Sequence, residues 1–505
     1  MTERTDDLGS RTFAAGRWKL LTVASKVALY ILVLAVLARF VLPEEFGIVA
    51  LANIVIAFAT MFSNAGLGPA LIQRQHITRT HVRVGFTSGV LLALALWAVI
   101  WIAAPTIAAF FREEEVTWVL RIIGGSFVLL SFGLVSRALL ERALDFRRLM
   151  LADLGSYVGF GIVGVAAAVA GYGVWALVAG TLTQRLVFSA ICVWLHPHSI
   201  LPSLARKELG ELLSFGGGLT LSRVFHFLGS YGDKAVAGRL LGAGPLGFYE
   251  RAYDLMNRPQ EQVGNIIDQI MFPALARVQS DRDRLASAFG KALSLANLIL
   301  LPSSVALVIL APEIVAVVLG PMWEPTVFPL QALGTVMWLK GSMRMCDSLA
   351  RAVGAVYRSA GRKVVYAVSV LGGAYIGAYY GADGVAIGVG GAIVVAAALM
   401  LQLSISILQE PWRYLLPAVG PGLLFSCLTV ATIVPTALLL RTVEAPALAV
   451  LAVTGVGAVL VNGLFALAFP KLLGSGGLWL MRRTLDSLPG KGPLLDHLRG
   501  SGPHE

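Results

Sequence analysis

The chain has 505 residues, of which 57% are hydrophobic and 14% are charged, and its mean hydropathy is +0.77. This composition excludes an ordinary soluble globular protein, because too few polar side chains remain to cover a water-exposed surface. The formal net charge of +11 would suit a nucleic-acid partner, but the positions of the basic residues argue against one.

About fourteen long apolar segments occupy nearly the whole chain and are joined mostly by short loops. In chain order they are residues 20–42, 46–72, 84–111, 116–140, 150–170, 174–195, 209–241, 248–275, 286–319, 327–350, 364–380, 385–408, 414–440 and 446–469. Each is near or above the ~20 residues that a helix needs to cross a bilayer core of ~30 Å. The runs are continuous and lack the alternation of membrane strands. They predict an all-α polytopic membrane protein with about fourteen transmembrane helices.

Basic residues gather at alternate ends of these segments. When the N-terminus is assigned to the cytoplasm, most loop Lys and Arg residues fall on that side. The other side holds Arg39, Arg112, Arg239 and Arg441 among several glutamates. This asymmetry follows the positive-inside rule, so both termini are predicted to face the cytoplasm. The basic excess is therefore assigned to membrane orientation, and no nucleic-acid partner is expected.

The sequence predicts neither an enzyme nor a cofactor. Its loops are too short for a catalytic domain, and they contain no P-loop for nucleotide phosphates. Cys192, Cys346 and Cys427 lie far apart within apolar segments, which indicates neither a disulfide framework nor a metal site.

A weak internal repeat divides the chain. The stretch from Arg39 to Gly47 matches that from Arg239 to Gly247, and Ala104-Pro105 recurs as Ala311-Pro312. The predicted domains are an N-terminal cytoplasmic tail at 1–16, six-helix bundles at 17–196 and 206–408, two additional transmembrane helices at 413–470, and a C-terminal cytoplasmic tail at 471–505. Parallel repeats of this kind are typical of transporters that bind substrate between the halves and work by alternating access. The alternative is an old duplication that now serves only packing.

Ten basic residues fall inside the apolar segments, where a charge costs roughly 2.5–3.5 kcal/mol at mid-bilayer. They are Lys26, Arg121, Arg137, Arg185, Arg223, Lys234, Arg251, Arg258, Lys340 and Arg344. In the eighth segment a polar stripe repeats every three or four residues, through Arg251, Asp254, Arg258, Gln262, Asn265 and Asp268. Such a stripe is expected to line an aqueous cavity, and Pro259 is expected to kink its helix.

Because basic residues outnumber obvious acidic partners, the cavity is predicted to accept an anion such as a phosphate or diphosphate. The candidate substrate-binding residues are Arg223, Lys234, Arg251, Arg258, Gln262, Asn265, Lys340 and Arg344. Asp233, Asp254 and Asp268 are candidates for proton or sodium coupling, or for orienting the basic residues. The competing interpretation is that many of these charges form internal ion pairs, such as Asp254–Arg258 or Arg344–Asp347.

Several motifs resemble the Wzx-type polysaccharide flippases, especially the branch of colanic-acid, succinoglycan and teichuronic-acid exporters. They are Phe62-Ser-Asn-Ala-Gly66 running on to Arg74, Leu140-Glu-Arg-Ala-Leu-Asp145-Phe-Arg-Arg148, Gly171-Tyr-Gly-Val-Trp175, Asp233-Lys-Ala-Val-Ala-Gly238, and Gly247-Phe-Tyr-Glu-Arg-Ala252. The resemblance implies the multidrug/oligosaccharidyl-lipid/polysaccharide superfamily, whose two six-helix bundles form a V around a central cavity. Here two C-terminal helices would be added.

The resemblance further implies a substrate and a location. The substrate would be an undecaprenyl-diphosphate-linked oligosaccharide, flipped across the bacterial plasma membrane for exopolysaccharide or lipopolysaccharide biosynthesis. Expected partners are membrane lipids, H⁺ or Na⁺, and the polysaccharide polymerase or export machinery. Three alternatives remain open: a proton- or sodium-coupled multidrug/cation antiporter of the same fold, a lipid II-type flippase, and a polymerase or ligase. The antiporter would favour a cavity dominated by carboxylates and aromatics, and the polymerase a large outer loop.

Overall fold

The computed structural model describes residues 25, 27–63, 67–74, 76–213, 220–474 and 476–478, and every regular element in this part of the chain is helical. The α-helices are α1 (Val27–Phe40), α2 (Pro43–Ser63), α3 (Leu67–Gln73), α4 (Arg79–Phe111), α5 (Val116–Gly124), α6 (Ser126–Arg142), α7 (Phe146–Val169), α8 (Val174–Leu195), α9 (Arg206–Leu213), α10 (Thr220–Leu241), α11 (Ala243–Arg277), α12 (Arg282–Ile309), α13 (Ala311–Val318), α14 (Val327–Ala352), α15 (Val356–Ala378), α16 (Gly381–Leu408), α17 (Leu416–Thr442) and α18 (Ala447–Ala468). Short 3₁₀ helices cover Pro321–Thr326, Trp412–Leu415 and Pro470–Leu473. The all-helical fold class is confirmed.

Nine helical stretches within the described residues are long and apolar enough to cross a membrane, judged by length and composition. The long helices α10, α11, α14 and α15 fall outside this group because charged and polar side chains interrupt them. Three of these four helices carry the candidate site residues. The chain is a multi-pass helical membrane protein in which apolar helices accompany a smaller set of polar ones.

The apolar segment 116–140 is two helices, and a side chain explains the break. The indole Nε1 of Trp97 donates to the carbonyl oxygen of Arg121 at 2.8 Å. In a continuous helix that oxygen would accept from the amide of Gly125. The Gly125 amide instead bonds to the Ile122 carbonyl at 3.1 Å, so α5 ends and α6 begins.

The segment 286–319 also divides, at Leu310, into α12 and α13. Pro312 has no amide hydrogen to donate to the carbonyl of Val308. The side-chain amide of Gln331 takes its place and donates to that oxygen at 3.2 Å. Both breaks therefore leave a carbonyl that a side chain from elsewhere satisfies, as apolar surroundings require.

The chain forms two compact units. Unit 1 contains Met1–Ala252, Val315–Pro329 and Ala367–Val389, and unit 2 contains Tyr253–Ile314, Leu330–Tyr366 and Gly390–Glu505. In unit 2, α12 packs on α17 at Gly422, where an added Cβ would lie 2.6 Å from the Asn297 carbonyl oxygen. The Asn297 side chain donates to the Ala418 carbonyl and accepts from Ser342, which joins α12 to both α17 and α14. The division into two six-helix halves stays a prediction.

In unit 1 the two members of the first repeat match lie against each other. A Cβ on Gly47 would lie 1.8 Å from the carbonyl oxygen of Ala243, the first residue of α11. A Cβ on Gly247 would lie 2.0 Å from the carbonyl oxygen of Pro43, the first residue of α2. The contact is reciprocal, because each glycine admits the first residue of the other helix. Small residues permit such backbone approach between helices in membranes.

The repeated arginines are also used reciprocally. Arg39 donates to the carbonyl oxygen of Val317 at 3.0 Å, and the Arg239 guanidinium lies 5.3 Å from the ring centroid of Phe110. Phe110 follows Pro105 by five residues, and Val317 follows the repeat-related Pro312 by five. Each arginine therefore contacts the segment that follows the proline of the other repeat. The buried Trp323 reinforces this region through a 2.9 Å hydrogen bond from its Nε1 to the Ala38 carbonyl.

Replacing Gly47 or Gly247 by alanine should destabilise the protein by about 1–3 kcal/mol, since the added methyl group meets backbone that cannot rotate away. The measurement is thermal unfolding of purified protein in detergent. Gly244→Ala is the matched control, because a Cβ there meets nothing within 4 Å. Equal melting temperatures for all three variants would contradict the close packing of α2 on α11.

Candidate functional site

The polar stripe of α11 divides between the two units at Ala252, so its contacts form two separate groups. The helix runs without interruption from Ala243 to Arg277, although Pro259 and Pro273 lie inside it. In unit 1 the stripe meets α10, and we call Asp233, Lys234, Tyr249, Glu250 and Arg251 the α10–α11 cluster. In unit 2 the stripe meets α14.

Lys234 of the α10–α11 cluster is a buried, balanced charge. Its Nζ lies 2.7 Å from Glu250 Oε2, and the two side chains are 9% and 14% exposed. Arg251 lies 5.1 Å from the ring centroid of Phe46, within 3.4 Å of the Tyr30 hydroxyl, and 4.0 Å from Glu250. A buried charge needs a partner of opposite sign, and Glu250 supplies it here. Glu250 thus offsets part of the positive charge predicted at this position.

Asp233 has a different environment. Its side chain is 1% exposed, and its Oδ2 accepts a 2.6 Å hydrogen bond from the hydroxyl of the fully buried Tyr249. Within the described residues, Oδ1 of Asp233 has no hydrogen-bond partner and no ion pair reaches this carboxyl group. Asp233 is therefore a buried acidic side chain whose hydrogen-bond partner is a neutral hydroxyl group.

In unit 2 three basic residues of α14 contact successive turns of α11. Lys340 Nζ donates to the Tyr253 hydroxyl at 2.5 Å and to Asn257 Oδ1 at 2.7 Å. Arg344 donates to the Glu261 carbonyl at 3.2 Å and to Asn265 Oδ1 at 2.5 Å. Arg351 donates to the two carboxylate oxygens of Asp268 at 2.9 and 3.0 Å. We call this set the α11–α14 ladder. Lys340 and Arg344 are four residues apart along α14, about one helical turn, and Arg344 and Arg351 are seven residues apart, about two turns.

Gly264 makes room for the middle contact of the ladder. A Cβ at this position would lie 2.8 Å from Cδ of Arg344, so the arginine stem crosses α11 at its bare backbone. The guanidinium then reaches a main-chain carbonyl and an amide oxygen, both of them neutral. Among the described residues no carboxylate forms an ion pair with Arg344. The described partners of this guanidinium are therefore all neutral oxygen atoms.

The acidic residues of the stripe are paired. Asp254 forms the predicted ion pair with Arg258, at 3.0 Å, and Asp268 pairs with Arg351. The predicted pair between Arg344 and Asp347 was wrong. Asp347 instead contacts Lys363 at 2.7 Å, Arg351 at 3.5 Å and the Ser359 hydroxyl at 2.9 Å. Spacing along α14 permitted the Arg344–Asp347 pair, but packing turns Asp347 toward α15.

Other predicted residues are less engaged. Gln262 is half-buried and makes no side-chain hydrogen bond with any described residue. Lys26 and the side chain of Arg223 lie outside the described residues. Sequence reasoning did not single out Tyr249, the partner of Asp233, or Tyr253 and Asn257, the partners of Lys340, because their side chains are neutral. Their four-residue spacing on α11 was the signal that marks them as one face beside the charged stripe.

No cluster of three or more His, Cys, Asp or Glu side chains within the described ranges could hold a metal ion. The polar groups that the two sets of contacts present are guanidinium, ammonium, amide and carboxyl groups, of which guanidinium and ammonium donate charge-assisted hydrogen bonds to anions.

A family described as polysaccharide biosynthesis protein matches residues 36–328 of this chain. The match spans more than half of the sequence, and the chain belongs to this family. A membrane protein in the cps region of Klebsiella pneumoniae is 27% identical over 339 residues, covering 66% of this chain and 69% of its own length. The lipopolysaccharide biosynthesis protein WzxC of Escherichia coli (strain K12) is 24% identical over 339 residues, with coverage of 66% and 68%. The resemblance to Wzx-type flippases is confirmed.

Among solved structures, the lipid II flippase MurJ in an inward closed conformation aligns with 90% of this chain and 99% of its own, with a TM-score of 0.70 and 16% identity. At this identity the likeness shows the fold alone. The chain therefore has a helical membrane fold like that of MurJ, and its named relatives are transport or biosynthesis proteins.

Replacing Tyr249 by phenylalanine should destabilise the protein by about 1–3 kcal/mol, because the buried Asp233 carboxyl group loses its donor. Thermal unfolding measures the loss. The exposed Tyr380 serves as control, and Tyr380→Phe should change little. In an Asp233→Ala background the cost of Tyr249→Phe should shrink toward zero. An unchanged cost in that background would show that the hydroxyl acts on another group.

Proposed function

We propose that this protein is a flippase for undecaprenyl-diphosphate-linked oligosaccharide units, which it moves across the bacterial plasma membrane by alternating access. Its product would serve exopolysaccharide or lipopolysaccharide biosynthesis. Membership of the polysaccharide biosynthesis family and the fold shared with MurJ support this class of transport. The finer statement about the substrate rests on the chemistry of the ladder.

The observation that carries the proposal is the environment of Arg344. Its guanidinium is held inside a helix bundle by two neutral oxygens, and no carboxylate among the described residues balances it. A charge kept in apolar surroundings without a counter-ion favours an anionic ligand. A diphosphate is suited to this group because guanidinium forms paired, charge-assisted hydrogen bonds with phosphate oxygens.

We assign the remaining residues around this contact. Lys340 lies one turn before Arg344 on α14, and Arg258 lies on α11 beside Asn257; we assign both to the diphosphate or to an acidic sugar. The amide groups of Gln262 and Asn265 suit sugar hydroxyls, which need both donors and acceptors. In unit 1, Arg223, Lys234 and Arg251 are the basic residues of α10 and the start of α11 that we assign to the diphosphate or to an acidic sugar.

The acidic candidates separate by their partners. Asp254 and Asp268 are paired with Arg258 and Arg351, so they orient these arginines. Asp233 forms no ion pair with a described residue, and it is the group we assign to proton or sodium coupling. Both termini would face the cytoplasm, and the partners would be membrane lipids and the polymerase or export machinery.

The rival functions fit the contacts less well. A multidrug or cation antiporter would need several carboxylates free to bind cations, whereas Glu250, Asp254 and Asp268 are paired and, of these four acidic residues, Asp233 alone forms no ion pair with a described residue. A lipid II flippase would also need a diphosphate site, and the sequence motifs favour the exopolysaccharide branch. A polymerase would need a large outer loop, and the loops between the described helices are short.

The test is translocation in proteoliposomes, measured as the fraction of an undecaprenyl-diphosphate-linked oligosaccharide that an impermeant periodate treatment can reach. Arg344→Gln should lower the rate by about 10- to 100-fold, the value of one or two charge-assisted hydrogen bonds. Arg358→Gln is the matched control. Arg358 also bonds to a neutral oxygen, of Ser406, but lies on α15. Its rate should stay within about twofold.

Two outcomes would overturn the proposal. A normal rate for Arg344→Gln would remove the diphosphate contact from the ladder. Failure of the wild type with several lipid diphosphates, together with proton-driven export of organic cations, would assign the protein to the antiporters.

A further inference from the structure

A cavity of about 440 Å³ lies beside the first turn of α4 and the end of α6, within unit 1. Its lining residues are His76, Ile77, Thr78, Arg79, Val82, Leu139 and Arg142. None of them belongs to the α10–α11 cluster or to the α11–α14 ladder. Two sequence motifs that those groups leave unused meet here, the one that ends at Arg74 and the one that contains Arg142. We call this cavity the α4 pocket.

Hydrogen bonds fix the walls of the α4 pocket. Arg142 Nη1 donates to the carbonyl oxygens of Leu71 and Ile72, each at 3.2 Å, and to that of Arg74. The last carbonyls of a helix generally lack intrahelical donors, so Arg142 caps the end of α3 from outside. The contact holds two segments about seventy residues apart in sequence.

Hydrogen bonds also order the start of α4, beside the pocket. Thr78 caps α4 by accepting from the amide of His81, and its hydroxyl lies 2.7 Å from Nδ1 of the same histidine. The other ring nitrogen of His81 contacts the guanidinium of Arg74. His81 is buried, so this chain of contacts sets the position of Arg74 beside the pocket.

The residues that line the pocket are basic, polar or apolar, and none of them is acidic. Arg79, Arg142 and His76 line it, with Arg74 and His81 behind them, and no acidic side chain is among the lining residues. Arg79 and His76 form no hydrogen bond or ion pair with any described residue. The acidic residues next in sequence are engaged elsewhere, Glu141 with Arg137 at 2.8 Å and Asp145 with Arg148 at 3.3 Å.

We propose that the α4 pocket binds a phosphate group, carried by the headgroup of an anionic phospholipid. Guanidinium and imidazole groups supply the donors that phosphate oxygens accept. The apolar side chains of Ile77, Val82 and Leu139 line the same cavity. A free phosphate would leave these side chains uncovered, whereas the glycerol moiety of a phospholipid would cover them. The charge asymmetry predicts that these helix ends face the cytoplasm, where anionic headgroups concentrate.

The site does not depend on the proposed transport activity, because its ligand is a component of the membrane itself. A binding assay without transported substrate therefore tests it alone. The purified full-length protein in neutral detergent is titrated with phosphatidylglycerol or phosphatidylcholine and examined by native mass spectrometry. A second titration uses inorganic phosphate and pyrophosphate, which separates a headgroup from a soluble anion as the source of the phosphate.

The pocket variant is Arg79→Gln combined with His76→Asn, which leaves the structural Arg142 in place. The control is Arg148→Gln, which removes a positive charge from an exposed side chain close in sequence that does not line the pocket. Phosphatidylglycerol should bind the wild type in preference to phosphatidylcholine. Its apparent affinity should fall at least about fivefold in the pocket variant and stay unchanged in the control.

Each of the following results either supports or overturns the proposed phosphate site. Loss of phosphatidylglycerol or of phosphate binding in the pocket variant alone supports a phosphate site at α4, and the titration that responds identifies its source. Equal losses in the pocket variant and in Arg148→Gln would reduce the effect to general charge attraction and overturn the proposal. The absence of any preference for phosphatidylglycerol, together with no binding of either soluble anion, would overturn it as well.

Discussion

The positions of the candidate residues in the α10–α11 cluster depend on the backbone contact between α2 and α11. Gly47 and Gly247 each admit the first residue of the other helix, so the two main chains touch without side chains between them. This contact fixes the rotation of the first turns of α11. The directions of Tyr249 toward Asp233 and of Glu250 toward Lys234 follow from that rotation. Lipid tails are as apolar as the side chains of these helices. Helices in a membrane therefore associate through close packing, whereas in water they associate through hydrophobic burial.

The second constraint is that a backbone carbonyl oxygen without a partner in its own helix must accept a hydrogen bond from another part of the protein. Trp97 satisfies the carbonyl of Arg121, Gln331 that of Val308, and Arg39 that of Val317. Arg142 does the same for the end of α3. Each of these contacts joins segments far apart in sequence. Helix breaks therefore act as connection points, because the cost of an unsatisfied carbonyl is high where water is excluded.

Basic side chains within the bundle divide into two kinds by their partners. Lys234, Arg258 and Arg351 lie beside carboxylates, and their charge is offset locally. Arg344 lies against neutral oxygens, with Gly264 leaving the space for its stem. Both arrangements satisfy hydrogen-bond donors, but a guanidinium against neutral oxygens is not offset by a carboxylate and attracts an anionic ligand more strongly. The same distinction separates Asp233, whose partner is a tyrosine, from the paired Asp254 and Asp268.

The sequence by itself determined the helical fold class, the approximate extent of the long helices, the family, and the face of α11 that carries polar groups, because periodicity and hydropathy are local properties. The pair Asp254–Arg258 was also within reach, since one helical turn joins its members. Tertiary structure decided that Arg344 contacts Glu261 and Asn265 rather than Asp347, and that Tyr249 donates to Asp233. It also brought Arg142 against the end of α3. Spacing specifies which side chains share a face, whereas the neighbour that this face meets depends on how helices distant in sequence pack together.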